Sequence, residues 1–388
     1  MNDKTEGNSV FLIQRQTITM EPGYHSMKHF LFSSLVFVLL LSSCNPTTPA
    51  PPTPTISPSS TPTDTPMPPT STPEPTPTST SIPSTTLRRG VNLGNMLEAP
   101  NEGEWGLFVQ EEYFDLIQEA GFDFVRLPVR WNTHAEQEQP YTVDPAFFAR
   151  VDEVVNWALE RNLTVIMDFH HYEEMMWDPW SHKDRLLSIW KQVAEHYKDY
   201  PPAVLFELLN EPNDQLNASL WNQYLAEALA AVRETNPTRD VVIGPASWNA
   251  YDWVSTLDVP NDEHLIVTFH YYLPFEFTHQ GAEWVEGSDP WLGRTWEGTE
   301  AEKAEIATHF DSVAEWAKRH NNLRILLGEF GAYSKADMDS RVRWTEFVRS
   351  EAERHGFAWA YWEFASGFGI YDPEAGVWRE DLLNVLIP

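Results

Sequence analysis

Cysteine is almost absent from this chain of 388 residues, in which Cys44 is the single example. One cysteine cannot form a disulfide within the chain, and the residues after it offer no thiolate chemistry. The stability of the folded part must therefore come from a buried core. A domain of about 300 residues can bury enough apolar surface to supply it.

Basic residues are also scarce. Lysine and arginine total 26 against 57 aspartates and glutamates, which gives a net charge of −31 at pH 7. This excess of negative charge argues against nucleic acid or an anionic membrane surface as a partner, because both would be repelled. The charge is compatible with an uncharged substrate, although acidity also keeps an exported protein in solution.

Long apolar runs are missing from most of the chain, and the run at residues 30–41 is too short to cross a bilayer, which takes about 20 residues. Met27-Lys28-His29 precedes the run and Leu41-Ser42-Ser43-Cys44 follows it. A basic region, an apolar region and a bacterial lipobox stand in this order in a lipoprotein signal. We therefore predict a signal segment at 27–44 with a lipid on Cys44; the alternative is a plain cleaved signal with an incidental cysteine.

The stretches on either side of this signal are predicted to have no fold. Residues 1–26 lack an export pattern and are interpreted as a non-native extension, with Met27 as the initiator. Residues 45–86 are almost wholly proline, threonine and serine, so we expect a disordered linker with a maximum reach of about 130 Å. The prediction is an exported protein that contacts the membrane through its lipid alone, with secretion as the alternative.

From residue 87 onward, short apolar runs alternate with amphipathic stretches. The apolar runs predict strands at 88–96, 123–131, 163–171, 203–212, 240–248, 265–274, 323–331 and 357–365. The amphipathic stretches predict helices at about 110–120, 145–161, 183–199, 217–235, 300–320 and 339–355, with a weakly helical connection near 250–258. Eight strand–helix units in residues 87–388 predict a (β/α)₈ barrel. A doubly wound open sheet is the alternative, but Arg89–Gly94 lacks the glycine spacing of a nucleotide-binding turn.

Two glutamates end apolar runs that are far apart in sequence. Glu211 stands in Asn210-Glu211-Pro212 after the fourth predicted strand, and Glu329 stands in Gly328-Glu329-Phe330-Gly331 after the seventh. The carboxyl ends of barrel strands carry the active site in this fold. A pair of carboxylates placed there suggests a two-carboxylate glycosidase.

Further polar and aromatic residues fall at the ends of the other predicted strands. They are Asn92, Asn95, Glu98, Arg126, His170, His171, Asn210, Trp248, His270, Tyr272, Trp362 and Glu363. Burying so many ionisable and amide groups together is costly unless they pair with each other. Their density is therefore itself an indication of a functional site.

The ordered set of motifs resembles glycoside hydrolase family 5, the former cellulase family A. The resemblance covers nearly all of residues 88–372 and rests on Val125-Arg126-Leu127-Pro128, His170-His171, Asn210-Glu211-Pro212, His270-Tyr271-Tyr272, Gly328-Glu329-Phe330-Gly331 and Tyr361-Trp362. The stretches 92–100, 277–284 and 367–372 are similar to those of bacterial endo-β-1,4-glucanases of that family, some of which also cleave mannan.

The resemblance implies that Glu211 is the acid/base and Glu329 the nucleophile of a retaining mechanism. Arg126 should keep Glu329 ionised, because an adjacent cation lowers the pKa of a carboxyl group. Asn210 should donate to a substrate 2-hydroxyl. His270 and Tyr272 should donate to or orient the two carboxylates. Glu211 must be protonated to act as an acid, so its pKa should lie above the usual value of about 4.3.

Other residues are assigned to the substrate or to packing. Adjacent strand residues point to opposite faces, so His170 and His171 should not share a metal; one should contact the sugar and the other pack behind it. Asn95 and Glu98 should bind hydroxyls on the non-reducing side of the cut. Trp284 and Trp362 are interpreted as platforms on which sugar rings stack. The tryptophans set in predicted helices are interpreted as core residues: Trp157, Trp190, Trp221, Trp316 and Trp344. Glu207 and Glu363 lie near the site but receive no role.

The resulting hypothesis is a retaining endo-β-1,4-glycanase that needs no metal and no cofactor and acts as a monomer. Its expected substrate is β-1,4-glucan, with β-mannan or glucomannan second. Two alternatives remain open. One is a catalytically silent barrel that binds carbohydrate at the cell surface, and the other is a transglycosylase that uses the same residues.

Overall fold

The computed structural model of this protein describes residues 87–388. The predicted extension at 1–26, the signal segment with Cys44 at 27–44 and the linker at 45–86 lie outside the described residues, and these assignments stay predictions. Within the described part, no helix combines the length and the apolar character that crossing a membrane would take.

Eight parallel strands close into a barrel in the order β1 to β8, which confirms the predicted (β/α)₈ fold. The strands are β1 (Arg89–Asn92), β2 (Phe124–Val129), β3 (Thr164–Phe169), β4 (Val204–Glu207), β5 (Val241–Ile243), β6 (Leu265–His270), β7 (Arg324–Glu329) and β8 (Ala358–Tyr361). Gly90 of β1 pairs with Phe124 of β2 on one side and with Ala360 of β8 on the other, which closes the sheet.

Helices cover the outside of the barrel. They are α1 (Glu111–Ala120), α2 (Pro145–Glu160), α3 (Glu173–Trp177), α4 (Pro179–His196), α5 (Ala218–Arg233), α6 (Phe275–Thr278), α7 (Glu300–Arg319), α8 (Met338–Arg354) and α9 (Glu380–Leu386). Short 3₁₀ turns lie at Trp131–His134, Tyr251–Thr256 and Asp289–Trp291, and a small hairpin joins β9 (Tyr371–Asp372) to β10 (Val377–Trp378).

Side-chain caps explain where several helices begin. Asn217 accepts a hydrogen bond from the Leu220 amide ahead of α5, and Asp337 does the same for Ser340 ahead of α8. Thr299 and Glu302 form a reciprocal capping box at the start of α7. Each such cap satisfies a backbone N–H that has no partner within the helix and contributes about 1 kcal/mol.

The observed strands are shorter than the predicted ones at their carboxyl ends. The backbone leaves the extended conformation soon after the strand, with a positive φ at Asn95 (63°), His171 (59°) and Ser247 (64°). The polar residues that the sequence placed on strand ends therefore lie largely on the loops that follow. This is where catalytic residues of barrel enzymes are found.

The interior of the barrel begins with an apolar layer at its amino end. The layer consists of Phe124, Ile166, Leu205, Val242, Ile266, Leu326, Ala358 and Ala360, all of them buried. Strand β1 contributes Gly90, because a Cβ there would lie 2.3 Å from the Phe124 ring. Burying a side chain such as Leu205 contributes roughly 1.5–3 kcal/mol, so this layer fixes the barrel on which the polar end is built.

Candidate active site

A cleft of about 1070 Å³ opens at the carboxyl end of the barrel. Ten of the twelve residues that the sequence assigned to catalysis or substrate line it: Asn95, His170, His171, Asn210, Glu211, His270, Tyr272, Trp284, Glu329 and Trp362. The other two, Glu98 and Arg126, are fully buried and do not contribute to its wall. A concave site with convergent polar groups is the usual form of a ligand pocket.

Arg126 lies beneath the cleft and joins several of its residues. Its guanidinium donates to Glu207 through two nitrogens at 2.8 and 2.9 Å, to Glu329 at 2.9 Å, to Asn210 at 2.7 Å and to Asn92 at 3.0 Å. Burial alone would lower the pKa of Arg126, but the surrounding carboxylates raise it well above its usual value. Arg126 is therefore a fixed cation that orients four acceptors from β1, β7, and β4 with its following loop.

Two carboxylates that the sequence did not assign to the site belong to this network. Glu207, to which the sequence assigned no role, accepts hydrogen bonds from two nitrogens of Arg126. Asp168 lies 3.0 Å from the same guanidinium. Burial raises the pKa of Asp168 to about 7. The available signal for Asp168 was its position two residues before His170, because alternate strand residues share a face.

Glu329 is held by two hydrogen-bond donors of different kinds, with a histidine nearby. Its carboxylate accepts hydrogen bonds from Arg126 at 2.9 Å and from the Tyr272 hydroxyl at 2.9 Å, and the Nδ1 of His270 lies 3.5 Å away. Burial raises the pKa of the Glu329 carboxyl above its usual value, and His270, Arg126 and the Tyr272 hydroxyl offset only part of that rise. The cation and the hydroxyl both stabilise the ionised form, as a carboxylate used for attack requires.

Glu211 approaches the same ring nitrogen of His270 but has a different environment. Its Oε1 lies 2.7 Å from His270 Nδ1, and 26% of the side chain is accessible from the cleft. Burial raises the pKa of Glu211 to about 8, against a smaller lowering by Arg126. A carboxyl group with this pKa keeps its proton at neutral pH and can donate it to a substrate.

His270 connects the two glutamates. Burial lowers the pKa of His270 to about 4, so the ring is neutral at neutral pH, and its Nδ1 lies at hydrogen-bond distance from Glu211. One ligand atom of each of Glu211, His270 and Glu329 lies within 4.8 Å of the others, a spacing that a metal ion could bridge. The three side chains already have each other as partners in this arrangement.

The histidine pair differs from its predicted arrangement. Both rings line the cleft, because the positive φ of His171 (59°) breaks the alternation of faces expected of a strand. The Nδ1 of His170 lies 2.5 Å from Asp168, and its Nε2 accepts from Asn210 at 3.2 Å. His170 also stacks on Trp362, with ring centroids 5.6 Å apart. The oxygen of the Asn210 amide is held by Arg126 and its nitrogen by His170. The second N–H of that nitrogen takes part in neither contact.

Glu98 is placed differently from the prediction that it contacts a sugar hydroxyl. It is fully buried, and its two oxygens accept the backbone N–H groups of Asn95 and Met96. Glu363 is equally buried and accepts from the amides of the following loop. Burial raises the pKa of Glu98 to about 8 and that of Glu363 to about 7. Both carboxyl groups shape cleft loops from below.

The tryptophans fall into buried and cleft-lining groups. Trp190, Trp221, Trp316 and Trp344 of the outer helices are buried, and Trp157 packs partly buried against the core. Trp284 lines the cleft with 61% of its surface exposed, and Trp248 lines it with 54% exposed. Trp296, which lies in a loop on the same side, is buried in the core instead.

The comparisons with known proteins agree with this arrangement. The family model described as Cellulase (glycosyl hydrolase family 5) matches residues 88–367. Endoglucanase H of Acetivibrio thermocellus is 39% identical over 292 residues, which are 75% of this chain and 31% of that protein. The chain therefore corresponds to about a third of this relative's length.

Among the solved structures, this chain matches one enzyme over nearly the whole length of the solved chain. Cel5A of Thermotoga maritima, solved with cellobiose, is 51% identical, has a TM-score of 0.76, and is matched over 78% of this chain and 97% of its own. The same enzyme was solved with mannotriose as substrate, at the same identity and TM-score. The family match, the closed barrel and these likenesses together show that the chain belongs to glycosyl hydrolase family 5, the cellulases, and is a glycoside hydrolase.

Proposed function

We propose that the chain is a retaining endo-β-1,4-glycanase whose two working carboxyl groups are Glu211 and Glu329. One observation carries the proposal. Carboxylate oxygens of the two residues lie within 4.8 Å of each other, and both face the Nδ1 of His270. Retaining glycosidases hold their carboxyl groups about 5–5.5 Å apart, whereas inverting enzymes leave about 6.5–9.5 Å for a water molecule.

In the first step, Glu211 gives its proton to the glycosidic oxygen while Glu329 attacks the anomeric carbon. The bond from that carbon to the glycosidic oxygen breaks, and an ester forms between the sugar and Glu329. The shortened chain leaves as a neutral alcohol. The division of roles follows from the environments, because Glu211 keeps its proton and Glu329 has Arg126 and Tyr272 to stabilise its charge.

In the second step, Glu211 is ionised and takes a proton from water. The hydroxide so formed attacks the anomeric carbon and releases Glu329 as a carboxylate. Two inversions at the same carbon give net retention of configuration. His270 stays hydrogen-bonded to Glu211 through both steps and keeps the Glu211 carboxyl group in place.

The proposed main substrate is β-1,4-glucan, with β-mannan or glucomannan as a second substrate. The endoglucanase relatives support the first part, and the structure of the Thermotoga maritima relative with mannotriose supports the second. Glucose and mannose differ at the 2-hydroxyl, close to Asn210 in a cleft of this family. Comparing kcat/KM on soluble cellulose and mannan derivatives would test the order of preference.

The alternatives require different behaviour from the same cleft. A silent carbohydrate-binding barrel would bind oligosaccharides without releasing reducing ends, and a transglycosylase would pass the sugar from Glu329 to another sugar rather than to water. The raised pKa of Glu211 beside an anchored Glu329 favours catalysis over simple binding.

The assignment is tested by separating the two steps. Glu211→Ala should lose about 10²–10⁴-fold on polysaccharide, the usual contribution of a general acid, but far less in kcat/KM on dinitrophenyl cellobioside, whose leaving group needs no proton. Azide should restore turnover and give a β-azide product. Glu329→Ala should be poor on both substrates and should yield β-azide product only from an α-fluoride.

The outcomes distinguish the possible errors. If the two variants exchange these behaviours, the roles of Glu211 and Glu329 are reversed. If the unmutated enzyme releases products of inverted configuration, the double displacement itself is wrong.

We further propose that a lipid on Cys44 holds the enzyme at the cell surface and that the linker lets it reach outward as a monomer. Cys44→Ser should release the protein from the membrane fraction or block its maturation, because one acyl anchor is then lost. Unchanged membrane fractionation of this variant would leave the plain cleaved signal as the better interpretation.

A further inference from the structure

A left-handed turn follows strand β5 and borders the cleft. Ser247, Trp248 and Asn249 have φ values of 64°, 58° and 52°, a conformation that residues other than glycine rarely adopt three times in succession. Such strained backbone persists only where the surrounding contacts determine it. In this turn, Asn249 has both a side-chain and a backbone contact to the elements that carry Glu211 and His270.

Asn249 is fully buried and contacts the two elements that carry Glu211 and its partner. Its side-chain amide donates to the backbone carbonyl of Asn210, the residue before Glu211. Its own carbonyl accepts the backbone N–H of His270 at 2.8 Å. One residue thus ties the Glu211 loop to the end of strand β6, and the side chains of Glu211 and His270 meet at 2.7 Å.

The rest of the turn supports this link. The N–H of Trp248 donates to the carbonyl of Pro212, on the other side of Glu211, at 3.2 Å. The Asn249 amide occupies the space beside Gly244, where a Cβ would lie 2.2 Å from its oxygen. The glycine at position 244 and the left-handed turn both serve to bring this amide under the Glu211 loop.

We propose that Asn249 is a positioning residue for Glu211: its buried amide fixes the loop that carries the acid/base carboxyl against the strand end that carries His270. The inference rests on the proposed function, since it assumes that Glu211 is the acid/base. Asn249 itself lies below the cleft surface and acts through Glu211.

The best variant is Asn249→Gly. Glycine adopts a positive φ without strain, so this change removes the amide while the backbone conformation remains accessible. The matched control is Asn162→Gly, which makes the same substitution at the same kind of backbone (φ 59°) in an exposed turn between α2 and β3. Asn162 precedes the amino end of β3, at the end of the barrel away from the cleft, and has no assigned role.

The readout is the dependence of kcat/KM on the leaving group, measured with dinitrophenyl and phenyl cellobioside. Both substrates place an aryl group in the same part of the cleft, but phenol needs the proton of Glu211 and dinitrophenol does not. Asn249→Gly should lose about tenfold or more on phenyl cellobioside, within the range of general acid catalysis, and less than about twofold on dinitrophenyl cellobioside. Asn162→Gly should match the unmutated enzyme on both.

A purely structural role for Asn249 would give a different pattern. Loss of folded enzyme, or displacement of the neighbouring Trp248, would lower kcat/KM by the same factor on both substrates, and this outcome would overturn the inference. Unchanged kinetics on both would also overturn it. If Glu211→Ala itself shows no dependence on the leaving group, the proposed function fails instead.

Two further variants keep the test independent of one substitution. Asn249→Ala removes the amide donor but keeps a Cβ, so it should reproduce the selective loss. Gly244→Ala introduces a Cβ that must displace the Asn249 amide, and it should do the same. If Asn249→Ala retains full activity on phenyl cellobioside, the amide donor is not what positions Glu211.

Discussion

The inside of the barrel has two layers of opposite chemistry, two residues apart along the same strands. The apolar layer holds Phe124 on β2, Ile166 on β3 and Leu205 on β4. The polar layer above it holds Arg126, Asp168 and Glu207 on the same three strands, all of them fully buried. Because alternate residues of a strand share a face, the two sets stack directly along the barrel axis.

The comparison shows how a fold can bury ionic groups without losing its core. The apolar layer needs no partners, while every group in the polar layer is tied to Arg126. One guanidinium faces Asp168, Glu207 and Glu329, with Glu211 close by, so carboxyl groups outnumber the cation. Burial is the main reason that the pKa values of Asp168 and Glu211 are raised, to about 7 and 8, and the excess of carboxyl groups adds to it. The polar layer is therefore built to retain protons, as a general acid requires.

The largest effect should come from breaking the polar layer at its centre. Arg126→Met leaves three carboxyl groups without their cation and should cost about 3–5 kcal/mol of unfolding free energy. Phe124→Ala, two residues earlier on the same strand, should cost a similar amount, about 3–5 kcal/mol, through cavity formation. Urea denaturation of the two variants measures both.

Activity should separate these two variants although their stability does not. Per folded molecule, Arg126→Met should lose at least about 10²-fold in kcat, since electrostatic support of Glu329 is removed. Phe124→Ala should keep kcat within a few-fold of the unmutated enzyme. Equal losses of kcat in both would mean that the layers are not functionally distinct.

The barrel was predictable because its signal repeats. Eight apolar runs with amphipathic stretches between them identify strands and helices by periodicity, and helices such as α2 and α7 lie close to their predicted bounds. The small elements α3, α6 and the β9–β10 hairpin were not predicted. Each has between two and five residues per segment, too few to show a period, and tertiary contacts decide their conformation.

The location of a site residue was predictable where its position relative to a strand end decided it. Residues lining the cleft, such as Glu211, Glu329 and His270, follow from that position and from the order of motifs. Glu98 was misplaced because the side-chain direction of a loop residue is not set by strand alternation. Asn249 was missed because its proposed role depends on a left-handed turn. Glycine is the usual sign of such a turn, and Ser247-Trp248-Asn249 contains none.

A smaller effect should sharpen the comparison through pH. Loss of the Glu211 proton should reduce kcat/KM on polysaccharide as the pH rises through about 8, and protonation of Glu329 should reduce it on the acidic side. Glu207 raises the pKa of Glu211. Glu207→Gln should therefore move the alkaline limb to lower pH, because ionised Glu211 is then less disfavoured.

The control for this shift lies on the same strand. Leu205→Val, in the apolar layer two residues from Glu207, changes no charge and should leave both limbs of the pH profile in place while costing some stability. The measurement is the pH dependence of kcat/KM for the two variants on the same soluble glucan. An alkaline limb that stays fixed in Glu207→Gln would show that the polar layer does not tune Glu211.

The smallest expected effect lies outside both layers, at the rim of the cleft. Trp284 is 61% exposed; it packs edge-on against Tyr333 and at a tilt against Phe368, with ring centroids 4.9 and 6.1 Å away. These contacts fix the indole while most of its surface stays open to a sugar. Trp284→Ala should remove a stacking surface worth about 0.5–1.5 kcal/mol, which corresponds to a rise of roughly 2- to 10-fold in KM for cellohexaose at nearly constant kcat. Trp253→Ala, at an exposed tryptophan (39%) that does not line the cleft, should leave KM unchanged. A fall in kcat rather than a rise in KM would place Trp284 with the catalytic layers, and no change in either, with the fold intact, would assign it to packing alone.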